Sequence, residues 1–473
     1  MDFYCREDEL RKMNRRYESG TFECVVIYGR RRVGKTALIN EFCRNKKTIY
    51  FSALKATAAE NLSALSKALY QYEHPDAEVY PEFPSFEAVL NEIGKLGNNE
   101  RLVFVIDEYP YLSESYSAIS SCLQHLIDHI WQKSKIYLIL CGSSMSFMQN
   151  QVLGYESPLY GRRTAQFKIE PMTYRDTAVF HPDFSAESNA YIYGITGGIP
   201  HYINKLNVKK DLDTALLENF FDRSAYLFEE PDNLLKQELR EPAVYNAVIR
   251  AIAEGASKLN EIAAKVGLES GPCSKYVSVL MELGLVKKET AITETSTKKT
   301  LYMIEDNFFR FWYRFVPENM SSISSGRFDR SYSKVVKAKL HDYMGPIFEK
   351  ICKEYLMYYA EDLPFEIANV GQWWGTDVSA KKEIQIDIVG VPVQEPNKKI
   401  TEYLIGSCKF RNEKTGLDEL QLIEHYADVF GKGKSYYYMI FSLGGFTQEL
   451  MDYAKENPVR LVSLKDMYQT MKK

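Results

Sequence analysis

The residues best suited to chemistry lie in GRRRVGKT, Gly29 to Thr36, directly after an apolar run that predicts a buried parallel strand. Gly29 and Gly34 allow the backbone to curl so that its N–H groups face a phosphate. Lys35 can reach the β- and γ-phosphates of a nucleotide, and Thr36 can ligate Mg²⁺ at the start of the following helix. The pattern predicts a site for ATP and Mg²⁺ formed by Gly29, Arg30, Arg31, Arg32, Val33, Gly34, Lys35, Thr36 and Ala37.

Acidic residues end a second apolar strand, RLVFVIDEYPYL, Arg101 to Leu112. A carboxylate at the C-terminal end of a central strand faces the nucleotide crevice. We expect Asp107 to hold Mg²⁺ through water and Glu108 to polarise the attacking water. A third apolar strand, KIYLILCGSSMSFM, is followed by Ser143 and Ser144. One of these side chains either senses the γ-phosphate or caps the next helix.

The order strand, loop and helix predicts the elements that hold these residues, an α/β fold with a P-loop NTPase parallel sheet. In this region the sequence resembles the archaeal-type ATPases, found in archaea and bacteria, within the STAND branch of AAA+-like P-loop NTPases. The segments that carry the resemblance lie between Phe3 and Ile203, in the order FYCREDEL, GRRRVGKT, FVIDEYPYL, LILCGSS, SPLYGRR and GITGGIPHYI.

The resemblance implies how the rest of the nucleotide is bound. It places an adenine pocket near Tyr4 and Arg6. It also implies a helical lid that carries Gly198, Pro200 and Tyr202 in the segment GITGGIPHYI. We therefore add Tyr4, Arg6 and Pro200 to the expected nucleotide contacts.

The resemblance further implies an arginine near the γ-phosphate, and SPLYGRR supplies Arg162 and Arg163. We take Arg163 as the catalytic candidate, together with Lys35 and Glu108. Surface pairing with acidic neighbours is the alternative role for both arginines.

Residues 241–318 predict a winged helix-turn-helix, with three helices followed by two strands and a polar turn. The fold usually suggests DNA, but 241–300 holds eight basic and seven acidic residues. Phosphate neutralisation supplies most non-specific affinity, so a near-neutral module either binds DNA weakly or packs against protein. The basic residues that DNA would meet are Lys275, Lys287, Lys288, Lys298 and Lys299.

In the same family a restriction-endonuclease-like domain follows an aromatic bridge, here DNFFRFWYRFV. Nucleases of the PD-(D/E)XK class hold Mg²⁺ with two carboxylates and use a lysine beside them. The residues that match this pattern are Glu349, Asp387 and Lys409. Ser407 shares the strand face of Lys409 where the family has Glu, and serine is a poor Mg²⁺ ligand. We expect a degenerate site, with a buried Asp387–Lys409 pair as one reason for keeping the lysine.

The length of 473 residues, with 45% hydrophobic and 26% charged residues, predicts several domains. We place a P-loop ATPase core at 1–205, a helical lid or linker at 206–240, the winged helix at 241–318 and an α/β restriction-endonuclease-like domain at 319–473. The eight cysteines form no C-x-x-C pair and read as buried reduced thiols. No signal segment or membrane helix is expected, so a cytoplasmic location is predicted.

Together these patterns predict an ATP-binding, Mg²⁺-dependent ATPase switch that couples nucleotide state to a winged helix and a C-terminal domain. A DNA nuclease gated by ATP and a nucleotide-binding scaffold with little turnover are the alternatives. The net charge of −4 indicates no general affinity for polyanions, so any DNA surface must be local. A protein partner or self-association is also expected, whereas binding to a membrane is not expected.

Overall fold

The structure is a computed structural model that describes residues 3–206, 208, 211–293, 300–394, 396 and 399–469. The chain divides into two compact units. Unit 1 comprises the residues up to Pro171 together with Ile199–His201, and unit 2 comprises Met172–Gly198 and the residues from Tyr202 onward. This division differs from the four predicted segments, whose boundaries remain a prediction.

Unit 1 is built on a parallel sheet of order β2-β3-β4-β1-β5. Its strands are β1 (Glu23–Tyr28), β2 (Thr48–Ser52), β3 (Leu102–Asp107), β4 (Ile136–Gly142) and β5 (Ala165–Lys168). Its helices are α1 (Glu7–Glu18), α2 (Lys35–Cys43), α3 (Ala58–Glu73), α4 (Phe86–Asn99), α5 (Tyr109–Ser115), α6 (Ile119–His129) and α7 (Met145–Phe147). Every residue of β1, β3 and β4 is buried, as expected for parallel strands covered on both faces.

The register of this sheet brings three chain segments to one edge. Tyr28 pairs with Gly142, and Ile106 pairs with Leu140. The loop after β1, the acidic pair after β3 and Ser143 after β4 therefore leave the sheet at the same carboxyl edge. In open parallel sheets this edge is where ligands bind.

Unit 2 begins with helices and continues with the elements of the predicted winged helix. The helices up to residue 282 are α8 (Tyr174–Ala178), α9 (Ala186–Thr196), α10 (Pro200–Leu206, whose first residues lie in unit 1), α11 (Leu212–Phe220), α12 (Tyr226–Glu238), α13 (Pro242–Ala253), α14 (Leu259–Val266) and α15 (Ser270–Glu282). Strands β6 (Val286–Thr290) and β7 (Thr300–Ile304) form an antiparallel hairpin. Three helices and a hairpin thus occur in the predicted order. Lys298 and Lys299 lie outside the described residues.

An aromatic helix, α16 (Asn307–Phe315), follows the hairpin and is buried on most of its surface. The ring of Phe308 stacks on Tyr202 with centroids 4.2 Å apart, and Phe311 meets Phe220 at 4.8 Å. Such pairs add to the burial of large apolar area. The segment predicted as a bridge is therefore part of the core of unit 2.

The C-terminal part of unit 2 contains a mixed sheet of order β12-β11-β10-β9-β8. Its strands are β8 (Ile367–Asp377), β9 (Lys382–Pro392), β10 (Glu402–Lys409), β11 (Ser435–Ser442) and β12 (Val459–Ser463). The helices of this part are α17 (Met320–Ser324), α18 (Asp329–Tyr332), α19 (Ala338–Tyr358), α20 (Leu417–Phe430), α21 (Gln448–Glu456) and α22 (Leu464–Tyr468). Both α19 and α20 contact β10, the strand that carries Ser407 and Lys409.

The eight cysteines are free thiols. Burial raises the pKa of Cys24 to about 12 and that of Cys43 to about 11. Thiols with such pKa values are poor nucleophiles at neutral pH. None of the helices in the described part of the chain combines the length and the apolar character that crossing a bilayer requires.

Candidate nucleotide site

The phosphate loop after β1 depends on glycine at two positions. A Cβ on Gly29 would lie 2.4 Å from the carbonyl oxygen of Ile169, so no larger residue fits between β1 and the segment after β5. Gly34 has φ +96°, a conformation that favours glycine, and it caps α2. Pro200 lies 3.9 Å from where a Cβ of Gly34 would be. Glycine is therefore needed at both positions, at Gly29 for the close approach to Ile169 and at Gly34 for its φ value at the start of α2.

Lys35 is buried at the start of α2 and turns back onto the loop. Its Nζ donates hydrogen bonds of 2.9 Å to the carbonyl oxygens of Gly29 and Arg30. Burial lowers the pKa of Lys35, and the nearby carboxylates of Asp107 and Glu108 act against that shift. The loop thus holds a cation where the motif requires one.

Thr36 and Asp107 meet across the edge of the sheet. The Thr36 hydroxyl donates to Oδ2 of Asp107 at 3.2 Å. The same oxygen accepts a hydrogen bond of 2.7 Å from the hydroxyl of Tyr50, which lies on β2. The other oxygen of Asp107 accepts from the backbone N–H of Glu108 at 3.0 Å. The carboxylate is therefore held in one orientation beside the Thr36 hydroxyl.

Glu108 follows Asp107 in a left-handed backbone conformation, with φ +52°. This conformation is uncommon for a residue other than glycine and marks a position that the surrounding structure enforces. The buried hydroxyl of Ser143 lies 3.2 and 3.0 Å from the two carboxylate oxygens of Glu108. Of the two serines considered after β4, Ser143 is the one in contact with Glu108.

Arg31 of the loop and Arg6 of the N-terminal segment have partners within unit 1. Arg31 donates to the Tyr111 hydroxyl at 2.8 Å. Arg6, at the start of α1, donates to the carbonyl of Glu170 and pairs with Glu9 at 3.2 Å. These contacts give Arg6 a structural role in addition to the predicted one near adenine.

The remaining residues of the phosphate loop, and Tyr4, differ in how far they are buried. Val33 is buried, whereas Thr36 and Ala37 are exposed at the first turn of α2. Arg30 and Arg32 are partly buried, and Arg32 has φ +72°. Tyr4 is partly buried ahead of α1.

The two arginines after β4 have different environments. Arg162 makes a bidentate pair with Asp128, with N–O distances of 2.8 and 2.7 Å. This is the acidic pairing considered as the alternative for that residue. Arg163 donates to the carbonyl of Leu153 at 3.2 Å, and its guanidinium lies 5.8 Å from the centre of the Tyr160 ring. Arg163 remains the candidate for the γ-phosphate.

The arrangement fits ATP and Mg²⁺ on its own chemistry. A glycine-dependent loop and the N-terminus of α2 suit phosphate oxygens. A hydroxyl next to a buried carboxylate, as in Thr36 and Asp107, is the oxygen donor set that Mg²⁺ prefers. Glu108 is the next residue along the chain, and its carboxylate accepts a hydrogen bond from Ser143.

The predicted C-terminal cluster contains a carboxylate that the sequence reading missed. Glu419, on α20, lies beside the two strand residues at the end of β10. Its Oε1 accepts a hydrogen bond of 2.7 Å from the Ser407 hydroxyl and lies 3.0 Å from Nζ of Lys409. The prediction that Ser407 and Lys409 share a strand face is confirmed. The sequence indicated Glu349 and Asp387 as the carboxylates of this cluster, and Glu419 is a further carboxylate that a helix supplies from outside the strand.

The other two members of this cluster are buried carboxyls. Burial, and then the charge of Asp387, raise the pKa of Glu349 to about 7. Burial also raises the pKa of Asp387, against a hydrogen bond of 2.9 Å from the Cys408 N–H and the charge of Lys409. The side-chain amide of Gln372 donates to Glu349. Among the described residues no three His, Cys, Asp or Glu side chains converge as a metal ion requires.

Tyr50 and Glu419 are the functional candidates that sequence reasoning missed. Each had a weak signal. Tyr50 lies on the polar face of the strand TIYFS, with Thr48 and Ser52. Glu419 precedes Ile423 and Ala427 at intervals of four, which places it on the buried face of α20. Neither signal specifies which residue the side chain meets.

Unit 1 has the fold of a P-loop NTPase. Residues 3–206 match a family described as an ATPase domain predominantly from Archaea. Residues 312–420 match a family described as archaeal and bacterial proteins of unknown function. The Walker-type ATPase PABY2304 of Pyrococcus abyssi has a similar fold, with a TM-score of 0.53 and 19% identity, covering 66% of this chain and 96% of that one.

One of the relatives among curated proteins matches nearly the whole chain. The uncharacterised protein MJECL04 of Methanocaldococcus jannaschii is 35% identical over 443 residues, which cover 91% of this chain and 95% of the relative. The chain belongs to the same family as that protein. A shorter match, 44% identical over 45 residues, covers 10% of this chain and 76% of the ATP-binding protein MJ0423 of the same organism.

Replacing Lys35 tests the phosphate loop. Lys35→Ala removes the buried cation at the loop, so we expect ATP affinity to fall at least about 100-fold, from two lost charge-assisted bonds. Titration with a fluorescent ATP analogue measures the loss. Lys95→Ala, which removes an exposed lysine paired with Glu92, is the matched control and should bind as the parent does. Binding by Lys35→Ala within about threefold of the parent would contradict the assignment.

Proposed function

We propose that the chain is a Mg²⁺-dependent ATPase switch. The observation that carries the proposal is the contact of the Thr36 hydroxyl with the Asp107 carboxylate at 3.2 Å, between Lys35 and Glu108 at the same edge of the sheet. Mg²⁺ would supply charge neutralisation for the phosphates. Thr36 and Asp107 would hold it, Lys35 would bind the phosphates, and Glu108 would orient and polarise the water.

The route from nucleotide to unit 2 is proposed to run along α10. Pro200, in its first turn, lies near Gly34 within unit 1. The same helix continues through Tyr202 to Leu206 in unit 2. A change of the loop on binding phosphate would therefore act on the first turn of α10, and the rest of this helix packs within unit 2. Tyr202 stacks on Phe308 of the aromatic helix, so a displacement of α10 would reach the core of unit 2.

A scaffold that binds ATP and hardly hydrolyses it is the alternative for the same site, and Glu108 distinguishes the two. Glu108→Gln keeps the size of the side chain and removes its basicity. We expect ATP affinity within about twofold of the parent and turnover lower by about 100-fold or more. Phosphate release measures the turnover. Glu114→Gln, at an exposed position on α5, is the control and should leave turnover unchanged. Equal turnover in Glu108→Gln and the parent favours the scaffold.

We propose that the predicted winged helix contacts protein rather than DNA. Lys287, one of the predicted basic residues, lies 2.9 Å from Glu289 and 3.4 Å from Glu305. These carboxylates in turn pair with Lys353 at 3.2 Å and Lys350 at 2.6 Å on α19. A lysine held in such a network is poorly placed to neutralise phosphates. Lys275 and Lys288 are exposed.

Substitution of the two exposed lysines tests this proposal. For the double variant Lys275→Ala, Lys288→Ala, we expect the affinity for a labelled duplex, measured by fluorescence anisotropy at several salt concentrations, to equal that of the parent. DNA reading through this module would instead weaken binding and reduce the salt slope by about one for each lost phosphate contact.

We propose that the C-terminal domain is a nuclease-like domain without metal-dependent cleavage. The support is that the carboxylate beside Lys409 is already engaged by that lysine and by Ser407, while burial disfavours the charged form of Glu349. A protonated carboxyl is a poor ligand for Mg²⁺. The domain would then act through binding or as part of the structure.

Incubation with duplex and single-stranded DNA tests that proposal. With Mg²⁺ or Mn²⁺, and with or without ATP, the parent should show cleavage no greater than that of Asp387→Asn. Gel analysis of a labelled substrate provides the measurement. Robust metal-dependent cleavage that disappears in Asp387→Asn and in Lys409→Ala would show that the cluster is an active nuclease site and that the alternative of an ATP-gated nuclease is correct.

A further inference from the structure

Tyr50 is a side chain at the nucleotide site to which neither the motif nor the family resemblance gives a role. It lies on β2, the edge strand of the parallel sheet in unit 1. Ser52 of that strand pairs with Asp107 of β3. The Tyr50 side chain, two residues earlier and on the same face as Ser52, extends along the strand to the Asp107 carboxylate.

The hydrogen bonds of Asp107 are divided between its two oxygens. Oδ1 accepts from the Glu108 N–H at 3.0 Å. Oδ2 accepts from Tyr50 at 2.7 Å and from Thr36 at 3.2 Å, so the tyrosine bond is the shortest of the three. Charge-assisted O–H···O⁻ bonds of this length are among the stronger ones in proteins.

The Tyr50 hydroxyl is placed to donate. Its oxygen lies 2.7 Å from Oδ2 of Asp107, and a carboxylate oxygen can only accept a hydrogen bond. Thr36 can still offer a lone pair of its hydroxyl oxygen to a metal ion while its O–H donates to Asp107.

We propose that Tyr50 is the positioning residue for the metal at the ATP site. Its hydroxyl donates to Oδ2, the same Asp107 oxygen that accepts from Thr36, and so fixes the orientation of the carboxylate that would hold the metal. The proposal rests on the function proposed above. Groups that orient a metal ligand in this way typically contribute about 10- to 100-fold to metal affinity.

The test is the variant Tyr50→Phe, which keeps the ring and removes the hydroxyl. A fluorescent ATP analogue is titrated in EDTA and over a range of Mg²⁺ concentrations. In EDTA we expect nucleotide affinity within about twofold of the parent, because the loop, Lys35 and α2 are unchanged. The Mg²⁺ concentration for half-maximal strengthening of binding should rise about tenfold, and the maximal turnover should fall with it.

Tyr72→Phe is the matched control. Tyr72 lines the same cleft of about 410 Å³ between β2 and α3, and its hydroxyl also donates to a carboxylate, that of Glu100, at 2.6 Å. Its loss should leave the Mg²⁺ dependence unchanged. A thermal unfolding scan of both variants separates a loss of fold from a loss of metal positioning.

A double variant tests whether Tyr50 acts through Asp107. Adding Tyr50→Phe to Asp107→Asn should produce no further change in Mg²⁺ dependence, because the residue that Tyr50 positions is already altered. The proposal is overturned if Tyr50→Phe has the Mg²⁺ dependence of the parent, if Tyr72→Phe shifts it equally, or if the effects of the two substitutions add. A parent that does not bind ATP at all refutes the proposed function itself, whereas each of these outcomes leaves that function in place.

Discussion

The hydrogen bond from the Thr36 hydroxyl to the Asp107 carboxylate, 3.2 Å long, is the contact on which the nucleotide site depends. It joins the loop after β1 to the end of β3, although β4 lies between these strands in the sheet. The contact therefore requires that all three strands end at the same level. Their fully buried apolar residues fix that level, because a shift in register would place buried groups in solvent.

Charged groups around this contact are hydrogen-bonded to partners within unit 1. Lys35 is held by two loop carbonyls, and Glu108 by Ser143. A buried charge is costly unless it is hydrogen-bonded, so each of these bonds stabilises a group that the chemistry needs. In the proposed function, phosphate bound at Lys35 would replace these carbonyl partners with phosphate oxygens. The site thus holds its charged residues in place without requiring large movements of the sheet.

Much of unit 1 could be predicted from the sequence because its signals are local. The loop, the acidic pair and the apolar strands are each contained in a short segment, and the structure places them at one edge of the sheet. Arg163 was harder to predict. Its neighbours are the Leu153 carbonyl and the Tyr160 ring, and the sequence supplies no distance from it to the loop.

Tyr50 and Glu419 show why the remainder could not be predicted. Tyr50 reaches Asp107 from a neighbouring strand separated from it by 57 positions, and Glu419 reaches Ser407 from a helix. Alternation along β10 correctly put Ser407 and Lys409 on one face, but it contains no information about the helix that covers that face. Likewise the charge count of the predicted winged helix did not indicate that Lys287 is bound by Glu289 and Glu305.

We have proposed that unit 1 hydrolyses ATP with the help of a metal held by Thr36 and Asp107. Steady-state release of inorganic phosphate by the full chain, with Mg²⁺ and with EDTA, and in each case with and without duplex DNA, tests it most directly. We expect phosphate release that requires Mg²⁺ and does not change when DNA is added. Release that is absent under all conditions, or that proceeds equally in EDTA, would contradict the claim.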